Sequence, residues 1–256
     1  ISNQVVCAGS TVSGVTITGS VASTVYTWAN NTTSIGLGAS GTGNITSFTG
    51  TNVTNIPVVA TVTVTPTYTN NSVACVGSTS TFTITINPRP VVPNQTATIC
   101  SGTAFTTAPT NNAPTTIIPS GTTYTWTVVD NTNVTGDEDQ GVGQSNISQT
   151  LTNLTNTAQT VVYTVTPTSG AAGNCVGSTF TVTVTVSPRA TIDNKTVSTC
   201  SGTGFTVTPS NGGGDIVPTG TTYAWSALPV VTGGLTGGAT ASLQSSINGT
   251  LTNPTN

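Results

Sequence analysis

Five cysteines, six carboxylates and three cations (Arg89, Arg189 and Lys195) hold nearly all the reactive chemistry of this 256-residue chain. Histidine is absent, which removes the commonest general base and the commonest metal ligand together. Serine and threonine abound, but a hydroxyl nucleophile needs a base beside it, and only one lysine is on offer. No catalytic residue, enzyme activity or cofactor is therefore expected. The only run of acids is "GDEDQG" at 136–141. Asp137, Glu138 and Asp139 form a weak Ca²⁺ candidate, because a hard cation takes loop carboxylates. The run lacks the spaced D-x-D-x-D-G order of a dedicated Ca²⁺ loop, so a solvated loop is the expected reading. Sequons such as "NIT" (44–46), "NVT" (133–135), "NIS" (146–148) and "NGT" (248–250) are of low specificity in so Thr- and Asn-rich a chain.

The elements that carry these groups repeat. "CSGTAFTTAPTN" (100–111) returns as "CSGTGFTVTPSN" (200–211), "IIPSGTTYTW" (117–126) as "IVPTGTTYAW" (216–225), and "QSNISQTLTNLTN" (144–156) as "QSSINGTLTNPTN" (244–256). A more divergent copy comes first, with Cys7, Trp28, Cys75 and "TFTITINPRP" (81–90) where Cys100, Trp126, Cys175 and "TFTVTVTVSPRA" (179–190) stand later. The period is near 100 residues, longer than the roughly 20–50 of a solenoid unit. It is domain-sized, and predicts repeats over 1–90, 91–190 and 191–256. The third lacks two strands and a cysteine that "TAQTVVYTVTPT" and "FTVTVTV" supply in the second. Completion is expected from a continuing chain or from a neighbouring molecule by strand addition.

Inside each repeat the alternation has period two. Phe180, Val182, Val184 and Val186 fall on one face, with Thr181, Thr183 and Thr185 on the other. Half-buried antiparallel strands have this pattern. The 62 threonines keep β propensity on the outer faces without adding charge or apolar surface. Gly, Pro and Asn clusters punctuate the runs, and no helical period persists. The expected class is all-β, a tandem array of two-sheet antiparallel sandwiches of Ig/PKD-like type. Charged residues make up 4% of the chain and net charge is −3. A basic surface for nucleic acid is excluded, and no apolar run is long enough to insert directly into a membrane.

On this frame the cysteines pair by position. Cys7 and Cys75, and Cys100 and Cys175, each sit near the start and before the last strand of one repeat. Two intradomain disulfides are expected, each closing a loop near 70 residues and stabilising by roughly 4 kcal/mol in the chain-entropy argument. Cys200 has no partner within the sequence. Trp28, Trp126 and Trp225 recur once per repeat on strands, and each is expected to fill its core. Links such as "NPRPVVPNQ" (87–95) are short and Pro-rich, hence semi-rigid spacers.

Taken together, "CSGT.F…P.N", "IIPSGTTYTW", "QTLTNLTNTAQTVVYTVTP" and "GSTFTVTVTVSPRA" resemble the PKD-like repeats of giant surface adhesins from bacteria that use type IX secretion and gliding motility. The likeness covers nearly all of the second and third repeats and, more loosely, the first, whose "ANNTTSIGLGASGTGNITSF" (29–48) departs from the pattern. It implies an extracellular, cell-surface protein whose repeats form a stalk or filament for adhesion, with no catalytic residues to transfer. The expected partners are further repeats of the same chain or neighbouring subunits, with surface polysaccharide as a further candidate ligand. Two other functions remain open: a polysaccharide-binding sandwich module, and a spacer attached to a secreted enzyme.

Overall fold

Alternating Val and Thr produce strands with one dry face. In the segment Phe180–Ser187 every second residue, from Phe180 to Val186, is buried, while the threonines between them stay partly exposed. The computed structural model describes residues 1–170, 173–227 and 234–255. The chain is all-β. Among the described residues the only helical element is a 3₁₀ turn at Thr33–Ile35.

The first set of strands comprises β1 (Gln4–Cys7), β2 (Thr11–Val12), β3 (Val25–Asn30), β4 (Ser40–Thr42), β5 (Phe48–Thr49), β6 (Val58–Asn70), β7 (Val73–Val76) and β8 (Ser80–Asn87). One sheet runs β1-β8-β6-β3-β4, with β7 also paired to β6, and β2 pairs with β5. The second set comprises β9 (Gln95–Cys100), β10 (Thr103–Thr107), β11 (Thr123–Val128), β12 (Val134–Thr135), β13 (Gln140–Gln144), β14 (Ile147–Asn153), β15 (Gln159–Thr168) and β16 (Phe180–Ser187). Its layers are β13-β11-β15-β16-β9 and β10-β14-β12.

Pairing is antiparallel except at one place in each set. There the first strand lies parallel to the last, with Cys7 opposite Asn87 and Cys100 opposite Ser187. Such a pair puts the end of the first strand beside the end of the last, not beside its start.

Each set closes over its own core. In the second set, Phe105, Ile147 and Leu151 from one layer meet Tyr124, Trp126, Tyr163 and Val182 from the other. Phe105 and Tyr163 bridge the layers with ring centroids 5.3 Å apart. In the first set Val12, Ile35 and Ile45 pack on Val62, Ile84 and Ile86. Burying one such side chain contributes about 1.5–3 kcal/mol.

A third set holds β17 (Gly204–Val207), β18 (Tyr223–Trp225), β19 (Ala241–Gln244) and β20 (Ile247–Thr250). β17 pairs with β20, and β18 with β19. These repeat β10, β11, β13 and β14. Among the described residues nothing repeats β15 or β16, and 195–200, the counterpart of β9, forms no strand. In the second set β9 pairs only with β16, so without that partner its counterpart has no ladder to join. The expected end of the third repeat at Asn256, and residues 228–233 within it, lie outside the described residues.

Candidate functional site

One disulfide links the first set of strands to the second. Cys7 bonds to Cys175, with Cα atoms 5.7 Å apart and a sequence separation of 168. Cys75, Cys100 and Cys200 are exposed free thiols. This corrects both expected intradomain bonds, Cys7–Cys75 and Cys100–Cys175. The physical reason is the parallel pairing of first and last strands. Cys7 lies at the Val58 end of β6, through Ile86 of β8, whereas Cys75 pairs with Tyr68 near its other end. Ten residues of strand separate them by roughly 33 Å, against a disulfide limit of about 7 Å between Cα atoms. Cys100 pairs with Ser187 at the far end of β16, whereas Cys175 precedes the Phe180 start of that strand, next to Val176, which bridges to Thr168.

Local structure presents both halves of the bond. Cys7 ends β1 and begins a turn in which the Ser10 N–H donates to the Cys7 carbonyl (3.0 Å) and the Ala8 N–H to Asn87 (2.9 Å). Gly9 takes φ +79° there, a conformation that suits glycine. Cys175, 1% exposed, is fastened by its N–H donating to Ser169 Oγ (3.0 Å), while the Ser169 N–H donates to the Cys175 carbonyl (3.0 Å). Two glycines admit the incoming chain. A Cβ on Gly173 would come within 2.8 Å of Asn87 Nδ2, and one on Gly177 would collide with the Pro90 carbonyl oxygen. Pro90 is buried, and Arg89 Nη2 donates to Ser10 Oγ (3.4 Å). Beyond Pro90, Val91 bridges to Ile117 in both directions (3.0 and 2.8 Å), and Val92 enters the second core.

The next link is held alike: Thr191 bridges to Ile216 (3.0 and 2.8 Å). Asp215 Oδ1 accepts from the Asp193 N–H (2.9 Å) and from Lys195 Nζ (2.8 Å). The Lys195 bond, then the Asp193 N–H, hold the Asp215 carboxyl below its ordinary range.

The acids of "GDEDQG" serve their own loop. Asp137 Oδ2 accepts from the Asn131 N–H (2.9 Å) and Asp139 Oδ1 from the Val128 N–H (2.8 Å). The Glu138 carbonyl accepts from Trp126 Nε1 (3.1 Å) and Gln149 Nε2 (2.7 Å). Among the described residues no three His, Cys, Asp or Glu side chains are grouped to hold a metal. The Tyr163 hydroxyl is buried without a hydrogen-bond partner; burial, then the charge of Asp137, push its pKa up.

The three tryptophans differ. Trp126 is 4% exposed and sits in the second core. Trp28 is half-buried against the first core. Trp225 is only half-buried and donates to the Ala239 carbonyl (3.1 Å), a correction to its expected place in a closed core. It lines a cavity of about 230 Å³ with Phe205, Ile247 and Leu251. Those positions repeat Phe105, Trp126, Ile147 and Leu151, which pack under β15 and β16 in the second set. Trp225 stays only half-buried because no strand among the described residues repeats that covering layer over it.

Sequence reasoning missed two buried asparagines. Asn153 Nδ2 donates to the Thr157 and Val186 carbonyls (2.7 and 2.9 Å), and its Oδ1 accepts from the Thr155 N–H and hydroxyl (both 2.8 Å). Asn52 repeats the arrangement with Ile56, Ile86 and Thr54, every bond at 2.8 Å. The recurring "TN.TN" (51–55, 152–156 and 252–256) is the signal that would have found them.

The PKD-like domain family matches residues 97–190. No curated protein matches the chain. Solved structures with similarity include the I67–I69 fragment of the titin I-band, at 10% identity and TM-score 0.33, covering 88% of this chain and 82% of that one. Another is zebrafish RET cadherin-like domains 1 to 4, at 11% identity and TM-score 0.19, covering 71% of this chain and 42% of that one. No helix among the described residues is long and apolar enough to cross a membrane.

Proposed function

We propose that this chain is a structural, load-bearing segment of an extracellular, cell-surface adhesin or filament. In this reading it is built from tandem sandwich repeats at 1–90, 91–190 and 191–256 and acts as a semi-rigid stalk. The single observation that carries the reading is the Cys7–Cys175 bond. A disulfide persists in oxidising compartments, and this one couples one core to the next rather than closing either. It is reinforced by a link whose Pro90 is buried and whose Val91 is bridged to Ile117. A tensile load on the chain would therefore pass through a covalent bond and two anchored links. The likeness of 97–190 to PKD-like domains supports a non-enzymatic role, and the motif resemblance to type IX-secreted gliding adhesins supports the bacterial surface as the setting.

The partners in this reading are further repeats or neighbouring subunits. Strands with the Val/Thr pattern of β15 and β16 would cover the Phe205–Trp225 groove as they do its counterpart in the second set. Surface polysaccharide is the alternative ligand. The test is small-angle scattering of residues 1–256. A stalk gives a rod advancing about 35–45 Å per repeat; a compact particle overturns the reading. Polysaccharide pull-down at wild-type Trp225 against Trp225→Ala separates out the sugar-binding alternative.

A further inference from the structure

The bond between Cys7 and Cys175 joins two non-equivalent positions of the repeat. Cys7 belongs with Cys100 and Cys200: each opens a C-x-G turn whose glycine has positive φ (+79°, +81° and +76°). In all three the glycine N–H donates across the layers, to Gly50, Leu151 and Leu251 at 2.8–2.9 Å. Cys175 belongs with Cys75: each precedes a glycine, Gly177 or Gly77, whose N–H donates to the carbonyl of Pro167 or Pro66 (2.8 and 2.9 Å). The bond therefore runs from the exit end of one set of strands to the entry end of the next. Cys75 is the same entry-end cysteine with nothing docked on it.

The surface around Cys75 has the shape of an unfilled joint. A groove of about 330 Å³ is lined by Tyr26, Pro66, Tyr68, Cys75 and Gly77 among others. At the occupied joint, a Cβ on Gly177 would meet both Pro167 and the incoming Pro90; on Gly77 it would meet Pro66 alone, at 3.0 Å and beyond. The missing contact is the one that the preceding link makes.

We propose that the Cys75–Gly77 groove is a docking socket for the exit end of another repeat of this type, which bonds to Cys75 through its C-x-G cysteine. Joints of the Cys7–Cys175 kind thereby form a ladder, one covalent rung per junction, with Cys100 and Cys200 as the opposite halves of further rungs. Bond formation consumes a disulfide oxidant by thiol exchange. The two thiols lose two protons and two electrons to form one S–S bond, and the oxidant's disulfide is reduced to two thiols. This rests on the repeat-array reading and adds a specific pairing rule to it.

The test is disulfide mapping of the full chain as secreted, after thiol blocking and digestion without reduction. The expected result joins Cys75 to a C-x-G cysteine of a different repeat. Cys75 recovered as a blocked thiol, joined to another Cys75, or joined to Cys7 of its own set overturns the proposal. A second arm reduces the full chain and reoxidises it in oxidised and reduced glutathione. Gly77→Val, which fills the groove, should slow recovery of the Cys75 bond tenfold or more while Cys7–Cys175 returns at the wild-type rate. Equal rates at Cys75 for both chains would also overturn it. A reduced Cys75 in a chain that scatters as a rod removes the ladder and leaves the stalk; a compact particle removes the stalk itself.

Discussion

Asn153→Ala tests whether the cores are held by a polar rivet as well as by apolar packing. The side chain is 1% exposed. It ties the loop after β14 to the end of β16 through Thr157 and Val186, and holds Thr155 with its Oδ1. Alanine leaves two carbonyls and one N–H without this partner, while the Thr155 hydroxyl, which also loses Oδ1, keeps the Thr157 carbonyl as its acceptor. At about 1 kcal/mol net for each lost bond, with Val186 the most deeply enclosed, the cost is about 3 kcal/mol. Asn253→Ala is the internal control. Asn253 is exposed and keeps only the Thr255 half of the arrangement, at 3.0 and 2.7 Å, so its loss should cost under about 0.5 kcal/mol. Urea unfolding followed by tryptophan fluorescence reads the difference. With a slope of about 2 kcal/mol per molar, Asn153→Ala should lower the midpoint of the second core by about 1.5 M, and Asn253→Ala should leave it in place. Equal shifts for the two variants would refute the rivet.

Trp126→Ala should destabilise by about 3–5 kcal/mol through the cavity it leaves, whereas Trp225→Ala should cost under about 1 kcal/mol; equal urea-midpoint shifts would contradict the difference in burial. Non-reducing peptide mapping of 1–256 should recover Cys7 joined to Cys175. Removing that bond with Cys7→Ser should free a 168-residue loop and cost about 5 kcal/mol in the chain-entropy argument, read as an earlier loss of the joint on heating. The Asp215 carboxyl, held low by Lys195 and the Asp193 N–H, lends stability that is fully present above the ordinary carboxylate pKa of about 3.9 and lost as pH falls through its own lower value. An NMR titration should place its midpoint below 3.9, and a midpoint at or above that value would remove the ion pair from the account.

The amino-acid order by itself determined the strand class, the period and the phase. Val182, Val184 and Val186 face inward because side chains alternate across a strand, and the threonines between them face out for the same reason. That rule is local, so it is legible without a fold. The recurring "TN.TN" likewise marks positions that bond alike, although the buried role of Asn52 and Asn153 needed the facing carbonyls of Ile86 and Val186 to become visible. Which cysteine meets which was decided only by tertiary structure. Spacing places Cys7 and Cys75 in one repeat, but the parallel pairing of β1 with β8 sends them to opposite ends of the same sheet. Strand order is a long-range choice made by packing two layers over a core, and no short window of sequence encodes it. The incomplete burial of Trp225 has the same origin. Its sequence context matches that of Trp126, and burial depends on whether another layer of strands lies over it.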